Sequence, residues 1–352
     1  MKQKVLVAMS GGVDSSLAAF LLKSAGYQVV GITMCLGVSG AAGAKPTCCG
    51  PHAIEDARSV CQKLHIAHHV LDFSNDLERK VIAPFVAEYV KGRTPNPCID
   101  CNRHLKFNAL LTKALSLGFD YLATGHYAKI QRQGNTFFLM RSKDKAKDQT
   151  YFLYPIERKY LEVILFPLAE YTKHQIRERA RDLKLPVANK PQSQDICFIP
   201  QRNYSAFLLE RNVTSPPGPI IDRKGNLLGE HRGIIFYTIG QREGLGISHR
   251  RPLYVLKIDP VKNQIVVGTR EELKVKKLIA TDTNWLIDTI PQRASAKIRY
   301  NHKEALCSIL ARDGRLDVTF DEEQEAITPG QSIVFYENDT VLGGGTIQEV
   351  LR

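Results

Sequence analysis

No apolar run in this 352-residue chain approaches the roughly 18 residues that would span a bilayer, which excludes a transmembrane helix. Residues 1–9 imitate the start of a secretory leader, but the apolar part stops at Ser10-Gly11-Gly12 with no room for a cleavage region, so a cytoplasmic protein is expected. Cysteine, at eight residues, is too sparse for a disulfide scaffold. Gly (25) and Pro (17) are too few for a collagen-like or low-complexity chain. What is present is 43% hydrophobic residues, ample for globular cores, over a length that suggests two or three domains. Negative charge is the minority: 36 Asp plus Glu against 48 Lys plus Arg leave a formal charge of +12. Residues 129–181 hold 12 basic and 6 acidic side chains, so they supply +6, half of that excess. A polyanion is the natural partner of such a surface, through phosphate neutralisation, and a merely solvated basic face fits the composition equally.

The segment that organises the chain runs from Val5 to Ser16, an apolar stretch broken by Gly11 and Gly12 and resumed in Leu17-Ala18-Ala19-Phe20-Leu21-Leu22. It reads as strand, tight loop, helix. The glycines allow close backbone approach, and the N–H groups that open the helix lack intrahelical partners and carry its positive dipole end, so an anion is expected there. No Lys follows the second Gly, which excludes the triphosphatase loop with its cation on the β- and γ-phosphates. Ser10-Gly11-Gly12-Val13-Asp14-Ser15 instead resembles the pyrophosphatase loop of enzymes that split ATP into AMP and pyrophosphate; an ordinary glycine turn at a helix start is the bland alternative.

Alternation continues beyond it: a strand at 28–36, a helix at 52–64, a strand at 68–73, helices at 75–91 and 107–117, and a strand at 121–128 ending in Gly125-His126. Such alternation implies a parallel sheet with helices on both faces and ligands at the carboxyl ends of the strands. Residues 37–51 read as an exposed loop whose Cys48-Cys49 pair fits no motif. Cys61 and Cys307 lie on apolar faces and read as packed core. Pro95 and Pro97 predict a stiff, non-helical approach that presents Cys98 and Cys101 from a loop, with Arg103, His104 and Lys106 favouring thiolate. Residues 128–140 predict a hairpin around Gly134-Asn135, and Thr172 caps a helix over 172–183. Thr214-Ser215-Pro216-Pro217-Gly218-Pro219 is the clearest boundary. Short alternating runs follow at 219–221, 234–238, 254–258 and 264–268, and then at 295–300, 305–311, 315–320, 332–336 and 341–347. The expected architecture is α/β: a parallel-sheet domain over 1–212, a small central β domain over 213–275 and a C-terminal β-barrel over 276–352.

Five motifs in order, Ser10 to Ser15, Thr94-Pro95-Asn96-Pro97 with Cys101-Asn102, Ala123-Thr124-Gly125-His126-Tyr127, Lys147-Asp148-Gln149 with Tyr151, and Ser193-Gln194-Asp195-Ile196-Cys197-Phe198, resemble the tRNA-specific 2-thiouridylase family end to end. The loop alone is shared with GMP, NAD and argininosuccinate synthetases and tRNA lysidine synthetases; the two cysteine motifs narrow the resemblance. It implies ATP held by Ala8, Met9, Ser10, Gly11, Gly12, Val13, Asp14, Ser15, Met34 and Gly125. It implies the target base at Asn96, Pro97 and Cys98, and tRNA at His126, Lys147, Asp148, Gln149, Arg299, Tyr300 and Gln331. Cys197 would carry a persulfide and Cys101 would be its partner nucleophile, with sulfur delivered by a persulfide-bearing sulfurtransferase or a cysteine desulfurase. ATP use implies Mg²⁺, with Asp14 taking part. Where the family pattern carries Asp, this chain has Cys98, and the resulting Cys98-x-x-Cys101 opens a second route in which Cys98, Cys101 and Cys197 hold a [4Fe-4S] cluster. Two other readings account for part of the sequence. An amidating ligase uses the same loop but leaves Cys101 and Cys197 idle, and a non-catalytic RNA-binding protein rests on charge alone.

Overall fold

The computed structural model describes residues 2–37, 51–191, 196–199 and 203–352; Cys48, Cys49 and residues 192–195 lie outside the described residues. The chain forms two compact units, one of Met1–Val81, Cys98–Asn203 and Asp339–Val341, the other of Ile82–Pro97, Tyr204–Asn338 and Leu342–Arg352.

The first unit is built on five strands, β1 (Lys4–Ala8), β2 (Gln28–Cys35), β3 (Ala67–Asp72), β4 (Tyr121–Thr124) and β7 (Ile164–Leu165), in the order β3-β2-β1-β4-β7 and all parallel. Val5 and Val7 of β1 are fully buried in one core with Leu17 and Ala18 of helix α1 (Val13–Ser24) and Ala57, Val60 and Cys61 of helix α2 (Pro51–Lys63). Leu6, between them in the strand, is also buried, so both faces of the sheet are covered, as an all-parallel sheet requires. Strand order reverses at β1: the chain runs outward through β2 and β3 and returns to β4 on the other side, with Ala8 in register with both Ile32 and Thr124. The crevice at the carboxyl ends of β1 and β4 is therefore the topological switch point. Residues 10–16 and Gly125 meet there. A hairpin of β5 (Ala128–Gln133) and β6 (Thr136–Arg141) turns at Gly134, φ +62°.

Two expectations are corrected in this unit. Cys98 and Cys101 are helical, within Pro97–Asp100 and the π-helical stretch Cys101–Leu110. Pro97 takes the first helical position, where its missing N–H costs nothing and its fixed φ starts the helix. The helix expected at 75–91 also contains a π-helical turn, Glu78–Ile82.

In the second unit, Phe85 and Tyr89 of the helix Ala83–Val90 pack on Phe207 and Tyr204 of the helix Tyr204–Glu210, with the two tyrosine rings stacked at 4.8 Å. A four-stranded sheet follows, order β10 (Tyr254–Asp259), β11 (Gln264–Gly268), β8 (Gly218–Ile221), β9 (Leu227–His231). Six further strands, β12 (Lys274–Trp285), β15 (Arg315–Glu325), β14 (Ala305–Arg312), β13 (Arg293–Lys297), β16 (Ser332–Glu337) and β17 (Thr340–Leu351), close into a barrel through β12–β17 pairing. Its interior holds Leu278, Ala296, Cys307, Val318, Phe320 and Phe335. The strand expected at 234–238 is instead a single 3-10 turn, Ile234–Phe236, set up by Gly233 at φ +129°, where a Cβ would stand 2.6 Å from the Ser215 carbonyl. Cys61 and Cys307 are core residues as expected, and burial pushes their thiols up to about 11 and about 12.

Candidate active site

Gly11 adopts φ +66°, and a Cβ there would lie 2.3 Å from the Ala53 carbonyl oxygen of α2, so the loop turns against that helix only with glycine. Gly12 is the N-cap of α1, extended, with no side chain capping the helix. A Cβ on Gly12 would meet only Ser10 Oγ, at 3.5 Å. The loop is tied by its own serines: Ser15 Oγ accepts from Ser10 N at 3.2 Å and donates to Gly12 O at 3.1 Å, and Ser16 Oγ donates to Gly12 O at 2.9 Å. The N–H groups at the start of α1 thus lack a capping side chain and carry the dipole's positive end, which suits phosphate. Gly125 closes the other side. A Cβ there would fall 2.6 Å from Ser15 N, so what its missing side chain makes room for is the loop itself. Met9 and Met34 are buried beneath, and Thr33 Oγ1 donates to Met9 O at 2.9 Å.

Three side chains that sequence reasoning did not assign converge on this loop. Lys173 Nζ donates to both Asp14 oxygens at 2.6 and 2.7 Å, and Tyr127 OH donates to Asp14 Oδ1 at 2.8 Å. Lys190 Nζ donates to Gly11 O at 3.0 Å and pairs with Asp56 at 2.5 Å, fastening α2 to the loop. Lys173 is only 9% exposed, and burial lowers its pKa against the opposing pull of Asp14. Burial, then the Asp14 charge, raises the Tyr127 phenol, so it stays protonated as a donor. A capping box holds Lys173 in place: Thr172 Oγ1 accepts from Gln175 N at 3.3 Å, and Thr172 N donates to Gln175 Oε1 at 2.9 Å. One local signal was available, because a lysine at the first position of a helix opposes the dipole.

Gln149 is bound twice to Tyr127: its Oε1 accepts from Tyr127 N and its N donates to Tyr127 O, both at 2.9 Å. Asp148 is buried and accepts from Thr150 Oγ1 at 2.6 Å. Lys147 N donates to Asp144. The His126 ring lies between Phe107 and Phe166, with Nδ1 2.7 Å from Thr124 Oγ1, and burial, then the Lys106 charge, holds its pKa well below 6.5. Cys98 is exposed, Cys101 buried and Cys197 half-buried. Beside Cys101, Asn102 Nδ2 donates to Phe152 O and Lys106 Nζ donates to Asn102 Oδ1, both at 2.9 Å.

In the second unit, Asn96 is half-buried and Pro97 buried. Gln331 Nε2 donates to Thr94 O at 2.7 Å, and Arg299 Nη2 donates to Thr328 Oγ1 and, at 3.1 Å, to Ile239 O. Lys297 Nζ lies 5.8 Å from the Tyr300 ring centroid. Among the described residues no three His, Cys, Asp or Glu side chains gather into a group that could hold a metal ion. Among the described residues Cys98, Cys101 and Cys197 do not form such a group, and Asp14, expected to assist Mg²⁺, has both oxygens engaged by Lys173.

Three family models match the chain in succession: the "tRNA methyl transferase HUP domain" over residues 3–201, the "tRNA methyl transferase PRC-barrel domain" over 205–269 and the "Aminomethyltransferase beta-barrel domain" over 275–347. Among similar proteins, tRNA-specific 2-thiouridylase MnmA 1 of Syntrophus aciditrophicus is 55% identical over all of this chain and 94% of its own length. The tRNA-specific 2-thiouridylases MnmA of Clostridium perfringens and Acetivibrio thermocellus are 48% and 49% identical, each over 99% of both chains. The chain belongs to the tRNA-specific 2-thiouridylase family.

Proposed function

We propose that this protein catalyses ATP-dependent 2-thiolation of the wobble uridine of tRNA. The observation that carries this reading is that one unit contains both an uncapped helix start at the switch point of a parallel sheet, suited to phosphate, and the cysteines Cys98, Cys101 and Cys197. The uracil carbonyl is a poor electrophile. Its O2 therefore attacks the α-phosphate of ATP, forming an O–P bond as the bond to pyrophosphate breaks, and the adenylated oxygen becomes a leaving group. A persulfide on Cys197, loaded by a sulfurtransferase or cysteine desulfurase, supplies sulfur to C2. Either the terminal sulfur attacks C2 and expels AMP, after which Cys101 thiolate attacks Cys197 sulfur, breaking the bond to the transferred sulfur and closing a disulfide as 2-thiouridine leaves, or Cys101 thiolate attacks Cys197 sulfur first, closing the disulfide and releasing hydrosulfide, which attacks C2 and expels AMP. A thiol reductant then returns the pair to the dithiol.

The ten loop and pocket residues from Ala8 to Gly125 serve ATP, Asn96, Pro97 and Cys98 the target base, and His126, Lys147, Asp148, Gln149, Arg299, Tyr300 and Gln331 the tRNA. The division into domains at 212 and 275 belongs to the same proposal. An amidating ligase would use the loop and leave the thiols without a task. Substitution separates the routes: Cys101→Ala and Cys197→Ala should each abolish thiolation measured by mass spectrometry of tRNA digests, while Cys98→Ala keeps a large part. tRNA-dependent exchange of pyrophosphate into ATP should survive all three. Thiolation that persists without Cys197 would overturn the persulfide route, and equal loss in all three variants with iron and sulfide in anaerobic protein would replace it with the cluster.

A further inference from the structure

We propose that Lys173 is the phosphate cation of this loop: it neutralises the pyrophosphate half of ATP at the first turn of α1, and Asp14 and Tyr127 position it there. The inference rests on the ATP-dependent reading of the site. Loops that bind triphosphates commonly carry a lysine directly behind the second glycine, and here Val13, Asp14, Ser15 and Ser16 follow Gly12. The loop therefore contributes a carboxylate and no cation of its own, which would repel the charge that gathers on a departing pyrophosphate. The missing cation arrives in space from 159 residues away, with Lys173 Nζ at 2.6 and 2.7 Å from the two Asp14 oxygens.

Folding alone does not call for a lysine at this place. Its helix is already capped by Thr172 and Gln175, and no acid lies in its first turn. A cation at the first helical position opposes the dipole, and burial to 9% exposure adds a desolvation cost. Both costs are borne by a side chain aimed at the loop. Lys190, the other lysine at the loop, is committed to the Gly11 carbonyl and Asp56 and acts as a fastening. Lys173 Nζ donates to both Asp14 oxygens and lies 5.7 Å from the Tyr127 ring centroid, while Tyr127 OH donates to Asp14 Oδ1, so Asp14 holds the ammonium and Tyr127 holds Asp14. A charge-assisted bond to phosphate disappears when the ammonium is removed and is largely kept when guanidinium replaces it.

Calorimetric titration of the full-length protein with ATP, AMP and inorganic pyrophosphate tests this. Because Lys173→Met alone leaves the half-buried Asp14 without its cation, it is compared with Lys173→Arg and with the double variant Lys173→Met, Asp14→Asn, each checked by thermal unfolding. Lys173→Met and the double variant should lose about ten- to a hundredfold in affinity for ATP and pyrophosphate, while AMP changes by less than about threefold. Lys173→Arg should recover most of the loss. Equal losses for ATP and AMP would make the lysine a structural residue and overturn the proposal, as would variants that bind ATP like the wild type. Wild-type protein that binds no ATP would overturn the ATP reading as well, which separates the two failures.

Discussion

Gly11 combines a left-handed backbone with a carbonyl oxygen 2.3 Å from where a Cβ would sit, so Gly11→Ala should lower stability by more than about 1 kcal/mol and remove ATP binding. Thermal unfolding and calorimetry check this, and an unchanged melting temperature would contradict it. His126 makes a pH-dependent prediction. Its pKa in the folded chain is held well below 6.5, chiefly by burial, so below pH 6.5 the unfolded chain binds a proton that the folded chain refuses. The stability it contributes is complete above the unfolded value and falls as the pH drops below it. His68, lowered by burial and then by Arg58 and His69, acts with the same sign. His126→Gln should therefore reduce, without abolishing, the loss of stability between about pH 7.5 and pH 5; an identical loss in the variant would contradict this. Gly11, Gly12 and the serines were legible in the sequence because a tight loop is local. Tyr127, Lys173 and Lys190 were not, because their partners in the loop and α2 lie between 113 and 179 residues away.

The helix Lys173–Asp182 begins at a capping box, and Thr172→Ala should cost about 0.5–2 kcal/mol in thermal unfolding. Because the next residue is Lys173, the same substitution should weaken ATP more than AMP. The polar segment after the β5–β6 hairpin offers a separate test on RNA. Lys143 is exposed and Lys147 half-buried, whereas Lys145 is paired with Asp339 at 2.6 Å. Replacing Lys143 and Lys147 with Ala should flatten the dependence of log affinity for tRNA on log salt by about 0.7–0.9 for each phosphate that is no longer neutralised, with a smaller change for Lys145. An unchanged slope would remove this segment from the interface. Elements with a clean period were readable: β2, α2, β11 and β16 fall within a residue or two of their expected bounds. β12 was not, since a register shift between Val275 and Lys277 and the exposed Lys276 and Lys277 break its alternation. The helical setting of Cys98 and Cys101 was missed because two prolines read as a barrier to helix, while Pro97 stands at the one helical position where proline is favourable.

The order of a parallel-sheet α/β region followed by small β structure and a closed barrel was legible, because strand and helix periods alternate early in the chain and give way to short alternating runs after Pro216-Pro217. The assignment of Ile82–Pro97 to the second unit was not legible. It depends on Phe85 and Tyr89 packing against Phe207 and Tyr204, more than 110 residues away, and no local pattern marks such a pairing. On the proposed chemistry the uncapped start of α1 and the cysteines of the first unit serve one coupled reaction, in which AMP is released only as sulfur enters tRNA. The direct measurement is to incubate wild-type protein with tRNA, ATP, a persulfide donor and a thiol reductant, then quantify AMP and analyse the digested tRNA by mass spectrometry. One AMP for each 2-thiouridine at the wobble position is expected, with neither product formed when ATP is withheld. A methylated uridine, or AMP released with no sulfur in the tRNA, would contradict the proposed chemistry.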